Sequence, residues 1–250
     1  MKPLTPLLSG ALVTTALFIL GITSCPAATV VAWGDSLTYG TGADNPAAGE
    51  KHYRKWFAEF SGATVINKGV GGEGSGQIRT RLIAPEAEEL RKEFTIIWAG
   101  NNNPDSTDKW VQRHIAEMVA ALPHQNYLIV GVINRSTAPS GSTTWNNINV
   151  INADLKATYG AHFVDVRPLL VSSYNQNVAQ DVIDYGNDVV PSSLRTDTIH
   201  LNTEGYRIVA QAIYNSYLTM IPEPAASAAI VGAVAFSALL FVHKKKGRRA

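Results

Sequence analysis

A serine, a histidine and an aspartate occupy places where they can share one proton relay. Ser36 lies in Trp33-Gly34-Asp35-Ser36-Leu37-Thr38. It follows Thr29-Val30-Val31-Ala32, a short β-rich apolar run that reads as a buried strand. In an open parallel sheet, the loop after a strand lies at the carboxyl edge, where ligands bind. A lone serine in a loop is ordinary turn chemistry. A nucleophilic one needs a base, a group to orient that base, and donors for an oxyanion. Of the six histidines, His200 is best placed, because Asp197 stands three residues earlier in Asp197-Thr198-Ile199-His200. That spacing lets the carboxylate receive the imidazole Nδ1–H, fix the tautomer and stabilise an imidazolium. A D-x-x-H alone reads as a solvated helix start; the company of Gly34-Asp35-Ser36 gives it a chemical reading.

Two further blocks also follow strands. Asn67-Lys68-Gly69-Val70-Gly71-Gly72 follows Thr64-Val65-Ile66, and Gly100-Asn101-Asn102-Asn103 follows Thr95-Ile96-Ile97-Trp98-Ala99. Taken alone, both are Gly/Asn-rich turns. The four blocks in this order resemble the SGNH/GDSL hydrolase family, over about Thr29 to Leu218. The resemblance implies a metal-independent ester hydrolase without a cofactor, working through an acyl-enzyme on Ser36. His200 would be its base and Asp197 the orienting group. It also implies an oxyanion hole of the Ser36 and Gly72 backbone N–H groups and the Asn102 side chain. The family usually has Asp after that Asn; here Asn103 stands there, and Asn101 precedes it. A shift of one residue, to Asn101, is therefore the alternative register. Asn67 and Asp165 read as structural, ending strands and satisfying loop backbone.

The elements that must position these residues alternate in type. Strands are expected at Thr29–Ala32, Thr64–Ile66, Phe94–Ala99, Tyr127–Ile133 and His162–Val166. Helices are expected at His52–Phe60, Ser75–Arg91 with an interruption at Pro85, Asp108–Leu122, Trp145–Tyr159 and from an Asn202 or Thr203 cap to about Leu218. Pro168 to Arg195 reads as irregular, with short helical turns at most. The pattern predicts an α/β fold, a three-layer α/β/α sandwich on a five-stranded parallel sheet with right-handed crossovers. The family resemblance adds a flavodoxin-like order, 2-1-3-4-5. Tyr53, Trp56, Phe57 and Phe60 recur at helical spacing and read as core.

Several chemistries are disfavoured. Gly69-Val70-Gly71-Gly72-Glu73-Gly74 satisfies G-x-G-x-x-G, but after the second strand, and no acidic residue for a ribose ends the next one. No G-x-S-x-G elbow, phosphate-binding G-x-x-x-x-G-K-[ST] or histidine pair at metal spacing occurs. Outside the two ends the chain holds 15 basic and 19 acidic residues, which argues against a nucleic-acid partner. A surface carbohydrate-binding module on a disabled hydrolase fold is the non-enzyme alternative. Within esterases, the family includes acetyl-carbohydrate esterases, lysophospholipases and thioesterases. The expected substrate is a short acyl ester of a polysaccharide, with lysophospholipase or thioesterase activity as the alternative. Trp145, Tyr174 and Tyr185 lie in or beside long loops, where they stack on a sugar or pack the loops.

The two ends read as addresses. Residues 1–28 have Lys2, an apolar run Ala11–Leu20 and a small-residue site at Pro26-Ala27-Ala28, the pattern of a signal peptide. Ser24-Cys25 also resembles a lipobox, so Cys25, the single cysteine, is a candidate lipid carrier. The expected domain is 29–220. In 221–250, Pro222-Glu223-Pro224 precedes an uncharged stretch, 225–242, and a basic end from His243 to Arg249. This resembles the PEP-CTERM sorting signal of bacterial surface proteins. It implies a transmembrane helix 225–242, an exosortase-like sorting protease as partner and an exported enzyme in a Gram-negative bacterium. A permanent C-terminal anchor is the alternative.

Overall fold

A computed structural model describes residues 28–221. The stretches read as a signal peptide, as a lipid-bearing Cys25 and as a sorting tail with a transmembrane helix at 225–242 lie outside the described residues, save for Ala28 and Ile221 at their edges. Five strands form one sheet: β1 (Thr29–Gly34), β2 (Thr64–Gly69), β3 (Phe94–Trp98), β4 (Tyr127–Val130) and β5 (Phe163–Val164). All pair in parallel, in the order β2-β1-β3-β4-β5. This is the 2-1-3-4-5 order and the α/β architecture expected. Gly34 at the end of β1 is level with Gly69 of β2 and Trp98 of β3. Three loops therefore leave the sheet side by side at its carboxyl edge.

Side chains alternate across a strand with period two, so each strand here feeds two cores. Val30, Ala32, Ile96, Trp98, Leu128 and Val130 pack with α2 (Tyr53–Ser61) and α8 (Thr203–Met220). Val31, Trp33, Ile97 and Ile129 pack with α3 (Ser75–Ile83), α4 (Trp110–Ala120) and α5 (Thr143–Tyr159). Burial on both faces explains why the strands read as continuous apolar runs. Tyr53 and Phe57 are fully buried, as their helical spacing required.

The ends of several elements differ from the sequence reading. The third helix stops at Ile83, and Ala84 takes an extended conformation before Pro85. Proline disfavours the helical conformation in the residue before it, so the remaining stretch forms only 3-10 turns, at Pro85–Ala87 and Leu90–Lys92. The fifth strand keeps only Phe163–Val164, because α6 (Val166–Ser172) begins at once. The region read as irregular holds α6 and α7 (Ala179–Gly186). Helix α7 was hidden because its buried face is polar. Asp181 and Asp184 point inward, while Val182, Ile183 and Tyr185 are exposed.

Candidate active site

Ser36 opens a one-turn helix, α1 (Ser36–Tyr39), at the end of β1. Asp35 caps it, its Oδ1 accepting the Leu37 N–H at 2.9 Å. The turn hugs the strand so closely that a Cβ on Gly34 would lie 2.1 Å from Thr38 Oγ1. Only glycine permits that approach. Arg54 secures the other end of the turn by donating to the Thr38 carbonyl at 2.6 Å and the Tyr39 carbonyl at 2.8 Å. The serine hydroxyl is thus carried on a short, doubly anchored support.

His200 arrives from the far end of the chain. The segment Thr196–Leu201 folds back on itself, with a Thr196 N–H to His200 carbonyl bond of 2.9 Å and an Arg195–Leu201 bridge. Asn202 then caps α8 by accepting the Glu204 and Gly205 N–H groups. His200 Nε2 lies 2.9 Å from Ser36 Oγ, and Nδ1 lies 2.6 Å from Asp197 Oδ2. The second carboxylate oxygen, Oδ1, accepts the Ile199 and His200 N–H groups, each at 2.8 Å. Burial alone would raise the Asp197 pKa, but these N–H groups and the imidazole outweigh it and bring it down to about 2. The carboxylate is therefore charged at neutral pH. It is placed to accept the imidazole Nδ1–H, the arrangement that turns a lone pair on Nε2 to the serine hydroxyl.

The glycine turn lies against the serine. A Cβ on Gly71 would stand 4.0 Å from the Ser36 Cβ, and Gly72 has a φ of +79°, in the left-handed region. Neither the Ser36 nor the Gly72 N–H donates to a protein acceptor among the described residues. Backbone donors without an internal partner beside a nucleophile are what an oxyanion needs.

The two asparagines divide their work. Asn101 is buried; its Oδ1 accepts the Ile133 N–H at 3.0 Å, tying β3 to the end of β4. Asn102 is at the exposed mouth, where its Nδ2 donates to the Glu73 carbonyl at 3.0 Å. Its other N–H stands 3.4 Å from Asp35 Oδ2, a long contact that leaves it free to turn to a substrate oxygen. Asn101 Nδ2 stands at the same 3.4 Å from Asp35 Oδ2, so the two asparagines differ in exposure and in their other partners. Asn103 is occupied elsewhere: it exchanges hydrogen bonds with Ser75, accepting from N at 2.9 Å and donating to Oγ at 3.0 Å.

Three features had no counterpart in the sequence reading. Asp35 is fully buried behind Ser36, and burial lifts its pKa to about 6 against the pull of Leu37, Asn101 and His200. Its place in the Gly-Asp-Ser turn, one residue before a helix, was a helix-cap signal. Arg81 binds Glu73 beside the glycine turn. Arg135 reaches Asn102 from the β4–α5 loop. Asn67, read as structural, has its Oδ1 on the Gly69 N–H at 2.8 Å. Asp165 stands before α6 without a side-chain capping bond. Trp145 packs under Arg167 and donates to Asp188 at 2.8 Å, while Tyr174 and Tyr185 stack on one another at 4.2 Å. Among the described residues no cluster of three or more His, Cys, Asp or Glu is placed to hold a metal ion.

A Ser–His–Asp row at the carboxyl edge of a 2-1-3-4-5 parallel sheet, without a G-x-S-x-G elbow, defines a class of flavodoxin-like serine hydrolases. The sequence profile described as "GDSL-like Lipase/Acylhydrolase family" matches residues 32–208, and the chain belongs to that family. It is 26% identical over 174 residues to the human platelet-activating factor acetylhydrolase IB subunit alpha1, covering 67% of this chain and 70% of the relative. A lipase/acylhydrolase from Enterococcus faecalis has a similar structure, with a TM-score of 0.57 and 16% identity over 79% of this chain and 99% of that one. A catalytic mutant of an acetylxylan esterase from Geobacillus stearothermophilus superposes with a TM-score of 0.52 and 15% identity, over 76% and 94% of the two chains. At these identities the two structures speak for the fold. The family makes the chain a GDSL-type hydrolase and sets aside the reading of a non-enzymatic module.

Proposed function

We propose that the protein cleaves short acyl esters of carbohydrates through an acyl-enzyme on Ser36. The observation that carries this reading is the unbroken row Ser36 Oγ, His200 Nε2, Nδ1 and Asp197 Oδ2, with gaps of 2.9 and 2.6 Å. His200 Nε2 takes the Ser36 proton as Oγ attacks the carbonyl carbon. The carbonyl π pair moves onto oxygen, where the Ser36 and Gly72 N–H groups and Asn102 Nδ2 receive it. As the intermediate collapses, His200 returns the proton to the departing alkoxide and an alcohol leaves. Water repeats the sequence and frees the acid. The acetyl group in the names of the human relative and of the acetylxylan esterase supports a short acyl chain. Turnover of a chromogenic acetyl ester, abolished in Ser36→Ala, tests the reaction. Full activity in Ser36→Ala overturns it, and a preference for long acyl chains overturns the carbohydrate assignment.

We further infer that the enzyme is exported and its tail processed. The support is the order of charged and apolar residues in 1–28 and 221–250. Among the described residues no helix is long and apolar enough to cross a membrane. Intact-mass analysis of protein from cells tests this: a mass that keeps Lys244 to Arg249 rejects sorting in favour of an anchor. A lipid on Cys25 rejects cleavage after Ala28.

A further inference from the structure

Arg135 is mounted with unusual firmness for a surface cation. The neighbouring Asn134 is buried and spends its side chain on the Ala138 and Asp188 carbonyls, at 2.8 and 3.0 Å. On the other side, the Ser136 N–H donates to the Thr198 carbonyl at 2.8 Å, inside the loop that carries Asp197 and His200. The Arg135 carbonyl closes a turn by accepting the Ala138 N–H at 2.9 Å. The residue therefore sits between the triad loop and the oxyanion asparagine, on a backbone fixed from both sides.

Its charge is unspent. Every other arginine of residues 28–221 is held by an acceptor at 3.0 Å or closer. Arg135 has one long contact, from its Nη2 to Asn102 Oδ1 at 3.4 Å. It joins no ion pair among the described residues. A guanidinium carries five N–H donors in a planar fork suited to two oxygens of one anion. Here that fork lies across a single side-chain amide from the N–H that would hold the ester oxyanion.

We propose that Arg135 selects esters bearing an anionic oxygen group beside the scissile bond, a carboxylate or a phosphate. Resting on the ester-hydrolase reading, this narrows the expected substrate to an acetylated acidic sugar. The carboxylate of the sugar takes the free edge of the guanidinium while the acetyl carbonyl takes Asn102. A neutral sugar leaves that edge to water.

The test compares acetylated methyl glucuronoside, acetylated methyl glucoside and acetyl glycerol phosphate as substrates, with a neutral chromogenic acetyl ester as reference. Wild type should favour the glucuronoside over the glucoside by roughly tenfold in kcat/KM, the worth of one charge-assisted hydrogen bond. Arg135→Gln should bring that ratio to about one, and Arg135→Lys should restore part of it, since the charge returns without the fork. A preference for the phosphate ester without one for the glucuronoside keeps the anion site and assigns it to a phosphate-bearing substrate. Equal rates on charged and neutral substrates in wild type overturn the proposal. So does an Arg135→Gln variant that loses both rates by one factor, which would make Arg135 a prop for Asn102 alone. Absence of Ser36-dependent turnover of the chromogenic ester marks instead a failure of the ester-hydrolase reading.

Discussion

Arg81 holds Glu73 with its Nε 3.0 Å from Oε1 and 2.9 Å from Oε2. The same guanidinium donates to the Lys68 carbonyl at 2.9 Å and the Gly34 carbonyl at 3.3 Å. The residue after Gly72 is thus bound to the ends of β2 and β1, and its carbonyl receives Asn102. One ion pair fixes the position of both proposed oxyanion donors that do not belong to Ser36.

Breaking it should loosen those donors without touching the triad. Arg81→Ala is expected to lower kcat on a chromogenic acetyl ester by about 10²-fold, the usual cost of a misplacement near 1 Å, with KM changed far less. Arg81→Lys should not rescue it, because a lysine cannot bridge a carboxylate and two carbonyls. Steady-state kinetics with circular dichroism as a folding control decides the point. A proportional rise in KM with kcat intact would show that the pair shapes binding instead.

The two asparagines give a paired prediction. Asn102→Ala should cost roughly 10²–10³ in kcat, as loss of an oxyanion donor does, and leave stability near wild type because the residue is exposed. Asn101→Ala should cost about 1–3 kcal/mol of stability by orphaning the buried Ile133 N–H. Urea unfolding and kinetics on both variants separate them. An inactive but stable Asn101→Ala beside an active Asn102→Ala would shift the register by one residue.

What was legible in the chain followed from periodicity. The strands that feed two cores showed as apolar runs, and Asn202 marked the start of α8 by its capping chemistry. The Ser36, Asp197 and His200 blocks were readable from their residue types and their order along the chain, which carry the family resemblance. Side-chain bonds between distant segments left no such trace. Arg81 reaching Glu73, Arg135 reaching Asn102 and Asp35 meeting two asparagines depend on how loops pass one another in space. Helix α7 shows no apolar periodicity for a related reason: its inward Asp181 is satisfied by Ser192, Ser193 and Asn175, so hydrogen bonds stand in place of an apolar stripe.

Asp197→Asn tests the tautomer. The side-chain oxygen of the asparagine can still accept the Ile199 and His200 N–H groups, so the loop keeps its shape. Its NH2 group then faces Nδ1, which must become an acceptor, and the ring proton moves to Nε2 toward Ser36. A protonated Nε2 cannot take the serine proton. The kcat is expected to fall on the order of 10³–10⁴ at neutral pH, with melting temperature little changed. Nitrogen NMR of the imidazole should show the proton on Nδ1 in wild type and on Nε2 in the variant. Retained activity, or an unchanged tautomer, would remove Asp197 from the relay.

Asp35 should contribute more stability in mild acid than at neutral pH. Burial raises its pKa from 3.8 to about 6, so between those values the folded state binds a proton that the unfolded chain does not. The Asp35 contribution to stability then rises as pH falls through this window, and its charged form costs the fold stability above it. The raised value corresponds to about 2 kcal/mol gained between pH 7 and pH 4.5. Asp181 and Asp197 act with the opposite sign, since their hydrogen bonds bring them to about 2, and their loss begins only below their unfolded values near pH 4. In the same window His52 opposes Asp35, since burial lowers its pKa from 6.5 to about 4, so the Asp35 contribution is read as the difference between wild type and Asp35→Asn. Activity should move the other way. Protonation removes a negative charge that attracts His200 as it becomes imidazolium, and it weakens acceptance of the Asn101 and Asn102 amides. Urea denaturation of wild type and Asp35→Asn at pH 4.5 and 7 measures the difference directly. Wild type should gain stability at the lower pH relative to Asp35→Asn, which has no proton to bind there. The same pH slope in both proteins would show that Asp35 does not titrate in this range.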